Sequence, residues 1–215
     1  MSKILILAPH TDDAEIGCGG TISKWLKEGH QVKVVVFSAA QPFDKPIVEW
    51  KDSDTDTGIY KEIYSEFYQS MEILGIDDCS KFLFQLRKFD TRRQDILERM
   101  IEIRNEFQPD MVLCPSTTDF HQDHQIVSQE AIRAFKNTTI LGYEYPWNAL
   151  TQKHNYFIKL DKKDIDIKLK ALSKYKSQKG RPYMEKEFIE SWARTTGIQV
   201  GTKYAESFET IRVVL

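Results

Sequence analysis

Residues 4–20 read Ile4-Leu5-Ile6-Leu7-Ala8-Pro9-His10-Thr11-Asp12-Asp13-Ala14-Glu15-Ile16-Gly17-Cys18-Gly19-Gly20. The first five carry no polar side chain and end at Pro9, which is typical of a strand buried on both faces of a parallel sheet. An imidazole and three carboxylates follow within six residues, and the carboxylates repel one another unless a positive charge holds them. This stretch therefore predicts either a metal site, for which His10 and Asp13 are suitable zinc ligands, or a solvated acidic loop in which Asp12 or Asp13 caps the next helix.

A second polar cluster lies far away in the sequence. Strand-like Met111-Val112-Leu113-Cys114 ends at Pro115, and a polar loop then leads to His121-Gln122-Asp123-His124. Two of the five histidines of the chain are thus three residues apart, with an aspartate between them. Together the clusters supply three neutral or anionic ligands and leave groups for acid–base chemistry, which is the composition of an open catalytic zinc site.

The two clusters resemble the motifs of the LmbE-like, or PIG-L, family of zinc-dependent N-acetylglucosamine deacetylases. The segment 9–15 matches the first motif, Pro-His-Pro-Asp-Asp-x-Glu, except that Thr11 replaces the middle proline, and 121–124 matches the second, His-x-Asp-His, throughout. A weaker similarity extends to Lys176-Ser177-Gln178 and to residues 204–208. The resemblance implies a metal-dependent hydrolase that removes the N-acetyl group from an N-acetylglucosamine-type sugar or glycoside, releasing acetate and a free amine.

The resemblance also implies which residues hold the metal. His10, Asp13 and His124 would bind Zn²⁺, with Fe²⁺ as the alternative ion, and would leave positions for water and a substrate carbonyl. Asp12 would be the general base that takes a proton from the water and returns it to the leaving amine. The motif alone leaves open which aspartate is the ligand and which is the base.

Three further residues receive roles from the resemblance. His121 would be a protonated acid that faces the developing oxyanion, and Asp123 would orient and charge that imidazole. Glu15 would cap the helix or fix a ligand. Thr11, in place of proline, loosens the turn of the first motif.

Alternating strands and helices predict an α/β fold, with a doubly wound, mainly parallel sheet of Rossmann-like type flanked by helices. A strand order of 3-2-1-4-5 would make strands 1 and 4 neighbours at the topological switch point, where ligands bind. We expect one domain over residues 1–215. Gly17, Gly19 and Gly20 do not complete a dinucleotide-binding loop, because Ile22 stands where its third glycine would be; we expect them to allow close backbone approach.

The predicted strands are Ile4–Ala8, Gln31–Ser38, Phe82–Phe84, Met111–Cys114, Ile140–Tyr143, Tyr156–Lys159 and Ile211–Val214. The predicted helices are Ile16–Lys27, Tyr60–Leu74, Arg92–Phe107, Gln125–Phe135, Asp164–Lys176 and Glu185–Arg194.

The aromatic and acidic run from Tyr143 to Asn148 follows strand 5. Glu144, Tyr145 and Trp147 could form a wall that binds sugar rings and hydroxyls, or a rim packed against neighbouring loops. The long segment from Ala39 to Gly58 has no clear period and is predicted to be a loop near the motifs.

Composition excludes several classes of protein. A net charge of -2 gives no electrostatic case for nucleic acid or an anionic membrane, and no apolar run reaches the length of a membrane span. Three scattered cysteines argue against a disulfide framework. The chain enters its first strand without the pattern of a signal peptide. We expect a cytoplasmic enzyme acting on a small molecule, and a homo-oligomer is compatible with the sequence.

Three other functions share some of these sequence features. A phosphate-accepting receiver domain also has paired acids after strand 1, but this chain lacks an aspartate ending strand 3 and a lysine ending strand 5. A metal-dependent amidase or esterase acting on another small polar substrate would use the same groups. A non-catalytic carbohydrate-binding relative is the third, although both acid–base candidates are retained.

Overall fold

The computed structural model describes residues 1–39, 58–153 and 155–214, so residues 40–57 of the predicted loop lie outside the described chain. Within these ranges the strands are β1 (Lys3–His10), β2 (Gln31–Ser38), β3 (Asp78–Lys81), β4 (Met111–Pro115), β5 (Thr139–Tyr143), β6 (Tyr156–Leu160) and β7 (Tyr204–Arg212). The α-helices are α1 (Asp13–Lys27), α2 (Gly58–Leu74), α3 (Arg93–Phe107), α4 (Gln122–Ala134), α5 (Lys162–Leu172) and α6 (Lys186–Gln199). None of these helices is long and apolar enough to cross a bilayer.

The described strands form one sheet in the order β3-β2-β1-β4-β5-β7-β6. The first five are mutually parallel, which confirms the predicted α/β fold and the order 3-2-1-4-5. β7 lies between β5 and β6 and is antiparallel to both. β6 therefore runs in the same direction as β1–β5, and β7 is the one strand among those described that runs against them. The last strand, predicted over Ile211–Val214, lies inside the sheet between β5 and β6.

Alternate side chains of β1 enter hydrophobic cores on the two faces of the sheet. Ile4 and Ile6 pack in the core that includes residues of α1, α2 and α5. Leu5 and Leu7 pack in the core that includes residues of α3 and α4. All four are at most 2% exposed. Because every residue of the apolar run is hydrophobic, β1 can bury side chains on both faces of the sheet, as a central strand must.

The third strand is displaced from its predicted position. β3 covers Asp78–Lys81, whereas the apolar run Phe82–Phe84 was expected to form it. Phe82 and Phe84 donate main-chain hydrogen bonds to Val36 and Phe37 of β2 at 2.7 and 3.0 Å. Their rings pack against the core beside α3. The phenylalanines therefore follow the edge of β2 without forming a regular strand.

The last strand begins earlier in the sequence than predicted. Its first part was not recognised as a strand, because two buried glutamates interrupt the apolar pattern. β7 runs from Tyr204 to Arg212 and includes Glu206 and Glu209, both under 10% exposed. The Glu209 carboxylate accepts hydrogen bonds from Ser116 and Thr117 and pairs with a lysine. Burial of an acidic residue is tolerated when it is paired in this way.

Glu206 stabilises a kink in α1. The helix departs from helical geometry at Cys18, with φ -148° and ψ 22°. Beside the kink, the N–H groups of Gly20 and Thr21 donate to the two oxygens of Glu206 at 3.1 and 2.7 Å. Lys168 Nζ donates to Glu206 at 2.6 Å and to a main-chain carbonyl of α1 at 2.7 Å. Partners from β7 and α5 thus complete the hydrogen bonding of α1 where the kink lies.

Two glycines of α1 permit the close packing that was expected of them. A Cβ atom on Gly17 would lie 2.6 Å from the ring of Tyr143 in β5, and one on Gly20 would lie 2.6 Å from Leu160 in β6. Both contacts are closer than a real Cβ atom allows. At Gly17 the rigid ring of Tyr143 leaves no room for a Cβ atom, and at Gly20 a Cβ atom would displace the end of the Leu160 side chain.

The Lys168–Glu206 pair should contribute strongly to stability. Lys168→Met should lower the free energy of unfolding by ~3–5 kcal/mol, because it leaves a buried carboxylate without its cation. Equilibrium unfolding in urea measures the loss. The matched control is Glu28→Ala, which removes one partner of the exposed Lys24–Glu28 pair and should change stability by less than ~1 kcal/mol. Equal stability of the two variants would contradict this account.

Candidate active site

The two polar clusters meet where β1 and β4 end. These strands are parallel neighbours, with Ile6 of β1 opposite Leu113 of β4. The chain leaves both strands at the same edge of the sheet and enters α1 and α4. This edge is the topological switch point at which α/β proteins bind ligands. The cleft at this edge is lined by His10, Asp12, Asp13, His121 and His124, as predicted from the strand order.

His10, Asp13 and His124 bring three potential ligand atoms together. Asp13 Oδ2 lies 3.1 Å from His10 Nδ1 and 3.3 Å from His124 Nε2, and the two nitrogens are 3.4 Å apart. Ligands of a tetrahedral zinc ion are separated by roughly 3.3–3.5 Å at ordinary bond lengths. All three residues are buried. The three residues therefore fit a divalent metal in both donor type and spacing.

The electrostatics of this trio favour a cation. Burial on its own would lower the pKa of His10, but the neighbouring carboxylates of Asp13 and Asp123 outweigh burial and raise the pKa to about 9. Burial also lowers the pKa of His124, whereas Asp13 and Asp119 raise it, to about 10. Burial opposes ionisation of Asp13, yet the two imidazoles hold its pKa well below the usual range. The surrounding carboxylates thus attract positive charge to the point between the three residues.

A carboxylate holds the outer nitrogen of each of these histidines. Asp123 Oδ2 lies 3.0 Å from His10 Nε2, and Asp119 Oδ2 lies 2.8 Å from His124 Nδ1. Because a carboxylate only accepts, each outer nitrogen carries a hydrogen. With a metal ion bound, the imidazoles would be neutral and each inner nitrogen would present its lone pair to the ion. This arrangement orients histidines that ligate metals. Asp119 could not be identified from the sequence, because a single acid in a polar loop has no diagnostic spacing.

His121 differs from the imidazolium that was expected. Its Nδ1 accepts a hydrogen bond from the main-chain N–H of Asp123 at 3.2 Å, so this nitrogen carries no hydrogen and Nε2 does. Burial and then the charges of His10 and His124 lower its pKa to about 4. The Asp123 carboxylate bonds His10 and the N–H of Arg87 instead. These contacts correct the expectation that Asp123 charges His121: Asp123 orients His10, and His121 is a neutral donor.

A second group of possible ligands shares one member with the first. His10, His121 and Asp123 also have ligand atoms close together. Within this group, His10 Nε2 and the Asp123 carboxylate already satisfy each other at 3.0 Å. His121 is the one member of either group that is not fully buried. The first group is therefore the better candidate for the metal.

Asp12 lies beside the trio without belonging to it. It precedes α1, but its side chain makes no capping hydrogen bond. The alternative in which Asp12 caps the helix is therefore not realised. Burial and then the negative charge of Asp13 raise the pKa of Asp12 to about 6. A carboxylate with a raised pKa that lines the cleft is suited to proton transfer.

Glu15 supports the loop of the first motif from beneath. It is fully buried, and burial raises its pKa to about 8. Its Oε1 accepts a hydrogen bond from Ser70 of α2 and lies 2.7 Å from the hydroxyl of Tyr175. The same hydroxyl contacts the main-chain carbonyl of Thr11. The residue that replaces the family's proline is thus held by a hydrogen bond from the segment after α5.

The cleft has a volume of about 290 Å³, near the lower end of the range for small-molecule sites. The polar groups of the two clusters described above line it. Three loops form its outer wall, contributing Leu86 and Arg87 after β3, Tyr145, Trp147 and Asn148 after β5, and Gln178, Arg181 and Tyr183 after α5. The loops after β3 and α5 were not expected to contribute.

The aromatic residues after β5 contact other side chains of the protein and do not form an open surface for stacking a sugar ring. The Tyr145 hydroxyl lies 2.7 Å from the main-chain oxygen of Asp13 and 3.0 Å from its Oδ1, so it helps to orient that residue. Trp147 is stacked between Tyr145 and Tyr183, at centroid distances of 5.1 and 4.4 Å. Stacking on these two rings limits the part of the indole that Trp147 can offer to a ligand.

Glu144 does not line the described cleft. It is 2% exposed and accepts a hydrogen bond from the main-chain N–H of Lys153 at 2.6 Å. Successive side chains of an extended segment point to opposite sides, so Glu144 faces away when Tyr145 faces the cleft. The geometry therefore corrects the expectation that Glu144 contacts substrate.

Two known proteins are similar to most of this chain. The uncharacterized deacetylase YaiS of Escherichia coli (strain K12) is 28% identical over 180 residues, which cover 81% of this chain and 90% of that protein. The diacetylchitobiose deacetylase of Thermococcus kodakarensis is 25% identical over 231 residues, which cover 98% of this chain and 84% of that protein.

Solved structures show the same fold. The N,N'-diacetylchitobiose deacetylase from Pyrococcus horikoshii has a TM-score of 0.78 at 23% identity, over 97% of this chain and 83% of that one. GalB, the 4-carboxy-2-hydroxymuconate hydratase from Pseudomonas putida KT2440, has a TM-score of 0.76 at 18% identity, over 100% and 98%. Since one of these proteins is a hydratase, the fold alone does not determine the reaction.

The sequence model of the family described as PIG-L, GlcNAc-PI de-N-acetylase, matches residues 5–135. This range is more than half of the chain, and it contains both polar clusters together with most of β1 and all of β4. The similarity thus covers the residues that form the floor of the cleft as well as the strands that position them. The chain belongs to the PIG-L family of GlcNAc-PI de-N-acetylases.

Proposed function

We propose that this protein is a metal-dependent hydrolase that removes the N-acetyl group from an N-acetylglucosamine-type sugar or glycoside. One observation carries the proposal: the ligand-like trio of His10, Asp13 and His124 adjoins a separate buried carboxylate, Asp12, in one cleft. Metal-assisted hydrolysis of an amide needs a ligand set with an adjacent base. Family membership and the similarity to a diacetylchitobiose deacetylase support the amide bond and the sugar.

The donor set limits the choice of metal. Two imidazoles and one carboxylate suit Zn²⁺ and leave positions for other ligands. The same set also suits Fe²⁺. When bound, such an ion would polarise the substrate carbonyl and lower the pKa of a water molecule.

The remaining groups would move protons and stabilise charge. Asp12 accepts a proton from water as the water oxygen bonds to the acetyl carbon. It then delivers that proton to the nitrogen as the carbon–nitrogen bond breaks, which yields acetate and an amine. His121 donates a hydrogen bond through Nε2–H to the carbonyl oxygen as negative charge develops there. Asp123 acts through His10, and Tyr145 acts through Asp13.

Acetate release tests the function directly. The metal-loaded protein is assayed against a set of N-acetylated sugars and glycosides, and both acetate and primary amine are measured. We expect the two products in equal amounts. Turnover of an ester or a different amide alone would instead support the alternative metal-dependent amidase or esterase. Sugar binding without turnover would support a non-catalytic carbohydrate-binding relative.

The carboxylate behind His124 should strengthen metal binding. Asp119→Asn should weaken metal affinity by about 10- to 100-fold, because the imidazole loses the charged partner that fixes its orientation and basicity. His124→Ala should abolish tight binding. Chelator competition measures both. The control is Asp110→Asn, which alters an exposed aspartate that accepts a hydrogen bond from Lys3 at the opposite end of β1; equal affinity of the Asp119 and Asp110 variants would contradict the assignment.

Asp12 should serve catalysis without holding the metal. Asp12→Asn should keep one equivalent of metal and lower kcat by roughly two to four orders of magnitude, the usual contribution of a positioned acid–base group. Metal analysis and steady-state kinetics on the same sample separate the two effects. If Asp12→Asn lost its metal while Asp13→Asn retained it, the two roles would be reversed.

A further inference from the structure

We propose that Arg87 makes this site selective for N-acetylated sugars that carry an anionic group, a phosphate or a carboxylate. The identity of the sugar rests on the function proposed above, whereas the binding of an anion rests on Arg87 itself. Arg87 lies in the loop after β3 and lines the cleft opposite the loop after α5.

The backbone of Arg87 adopts a conformation that is unfavourable for arginine. It has a φ of 63° in the turn from Gln85 to Lys88, which is closed by a 3.1 Å hydrogen bond between the Lys88 N–H and the Gln85 carbonyl. Glycine or asparagine is favoured at a turn position with positive φ. The other described non-glycine residue with positive φ, Gln108, ends α3 in a left-handed conformation that is common at helix C-termini. No helix end accounts for Arg87.

The main-chain contact of Arg87 does not require an arginine. Its N–H donates to Asp123 Oδ2 at 2.7 Å, and Asp123 in turn holds His10. Glycine would make the same hydrogen bond with less strain. A residue kept in an unfavourable conformation beside a functional site indicates that its side chain has a use there.

The side chain of Arg87 retains its hydrogen-bonding capacity. Its guanidinium makes no hydrogen bond or ion pair within the described structure, and the residue is exposed. Arg181, the other arginine that lines the cleft, is engaged by its own loop: Nε donates to Gln178 at 2.5 Å and Nη1 donates to Tyr183 at 2.8 Å. Arg87 can therefore direct several donors at a ligand.

The charges of the cleft leave Arg87 available for an anion. Among the lining residues Asp12 and Asp13 are balanced by Arg87 and Arg181, and a bound divalent ion would balance Asp119 and Asp123, which hold the two histidines from behind. Guanidinium groups bind phosphates and carboxylates in a bidentate manner. Asparagine would bind a neutral sugar hydroxyl and would tolerate the positive φ. Permanent positive charge is the property that arginine adds.

Deacetylation of matched sugars tests this proposal. The metal-loaded full chain is assayed with N-acetylglucosamine, its 1-phosphate and its 6-phosphate, and with N-acetylmuramic acid as the carboxylate. For at least one anionic sugar we expect kcat/KM to exceed that of N-acetylglucosamine by about tenfold or more, as for a charge-assisted hydrogen bond. Arg87→Gly should bring this ratio close to one, and Arg87→Lys should give an intermediate ratio.

Two controls separate recognition from folding and from general electrostatics. Arg87→Gly should unfold at the same temperature as the wild type or higher, because glycine adopts the positive φ without strain. Lys88→Met removes the same charge from the neighbouring exposed residue, which does not line the cleft, and should leave the ratio unchanged. An equal loss of the ratio in both variants would overturn the specific role of Arg87.

The outcomes also distinguish this proposal from the proposed function. A wild-type ratio near one, or a ratio unaffected by Arg87→Gly, would overturn the role of Arg87 while deacetylation stands. If none of these sugars released acetate, anion recognition by Arg87 could still be tested. The binding of the same four compounds to the wild type and to Arg87→Gly would then be measured by calorimetry. Loss of affinity for an anionic sugar in the variant would support anion recognition, and equal affinities would overturn it.

Discussion

Three carboxylates and two imidazoles are buried within hydrogen-bonding distance of one another beyond the ends of β1 and β4. Asp13, Asp119 and Asp123 surround His10 and His124, and each of the five is at most 6% exposed. Buried negative charges are strongly destabilising unless a positive charge compensates them. The imidazoles provide that charge when protonated, and a divalent ion would provide it while leaving them neutral. This requirement for a cation explains the geometry of the cleft.

The elements around the cluster restrict how far it can relax. Asp13 is oriented by Tyr145 from the segment after β5, and the Thr11 carbonyl is held by Tyr175 from the segment after α5. Arg87, from the loop after β3, fixes Asp123 through its main-chain N–H. Because these supports come from segments that are distant in sequence, the geometry of the site depends on tertiary contacts between them. Such a site is preorganised for its ligand.

The central part of the fold could be predicted because its signals are local. A continuous apolar run identified β1, and polar residues directly after β1 and β4 located the cleft once the two strands were taken as neighbours. β7 was only partly recognised, because Glu206 and Glu209 look like surface residues until their partners in other elements are known. The chemistry of these residues depends on contacts distant in sequence.

Side-chain direction and loop geometry could not be predicted from the sequence. Asp119 and Arg87 lie in loops, where no periodicity indicates which residue faces the site. Trp147 was correctly expected near the cleft, but its stacking between two tyrosines could not be foreseen from the residue type. Asp123 was recognised as a partner of a histidine, yet its carboxylate bonds His10, at the end of β1, and not its near neighbour His121.

The position of the metal relative to His10 tests the account most directly. The Nδ1 atom of His10 faces Asp13 and His124, whereas its Nε2 atom faces Asp123, which forms the second possible ligand group with His121. Crystals of the zinc-loaded protein, measured at wavelengths on both sides of the zinc absorption edge, would locate the ion by its anomalous signal. The account predicts one peak bonded to His10 Nδ1, Asp13 and His124 at about 2.0–2.2 Å. A peak bonded to His10 Nε2, His121 and Asp123 would contradict it.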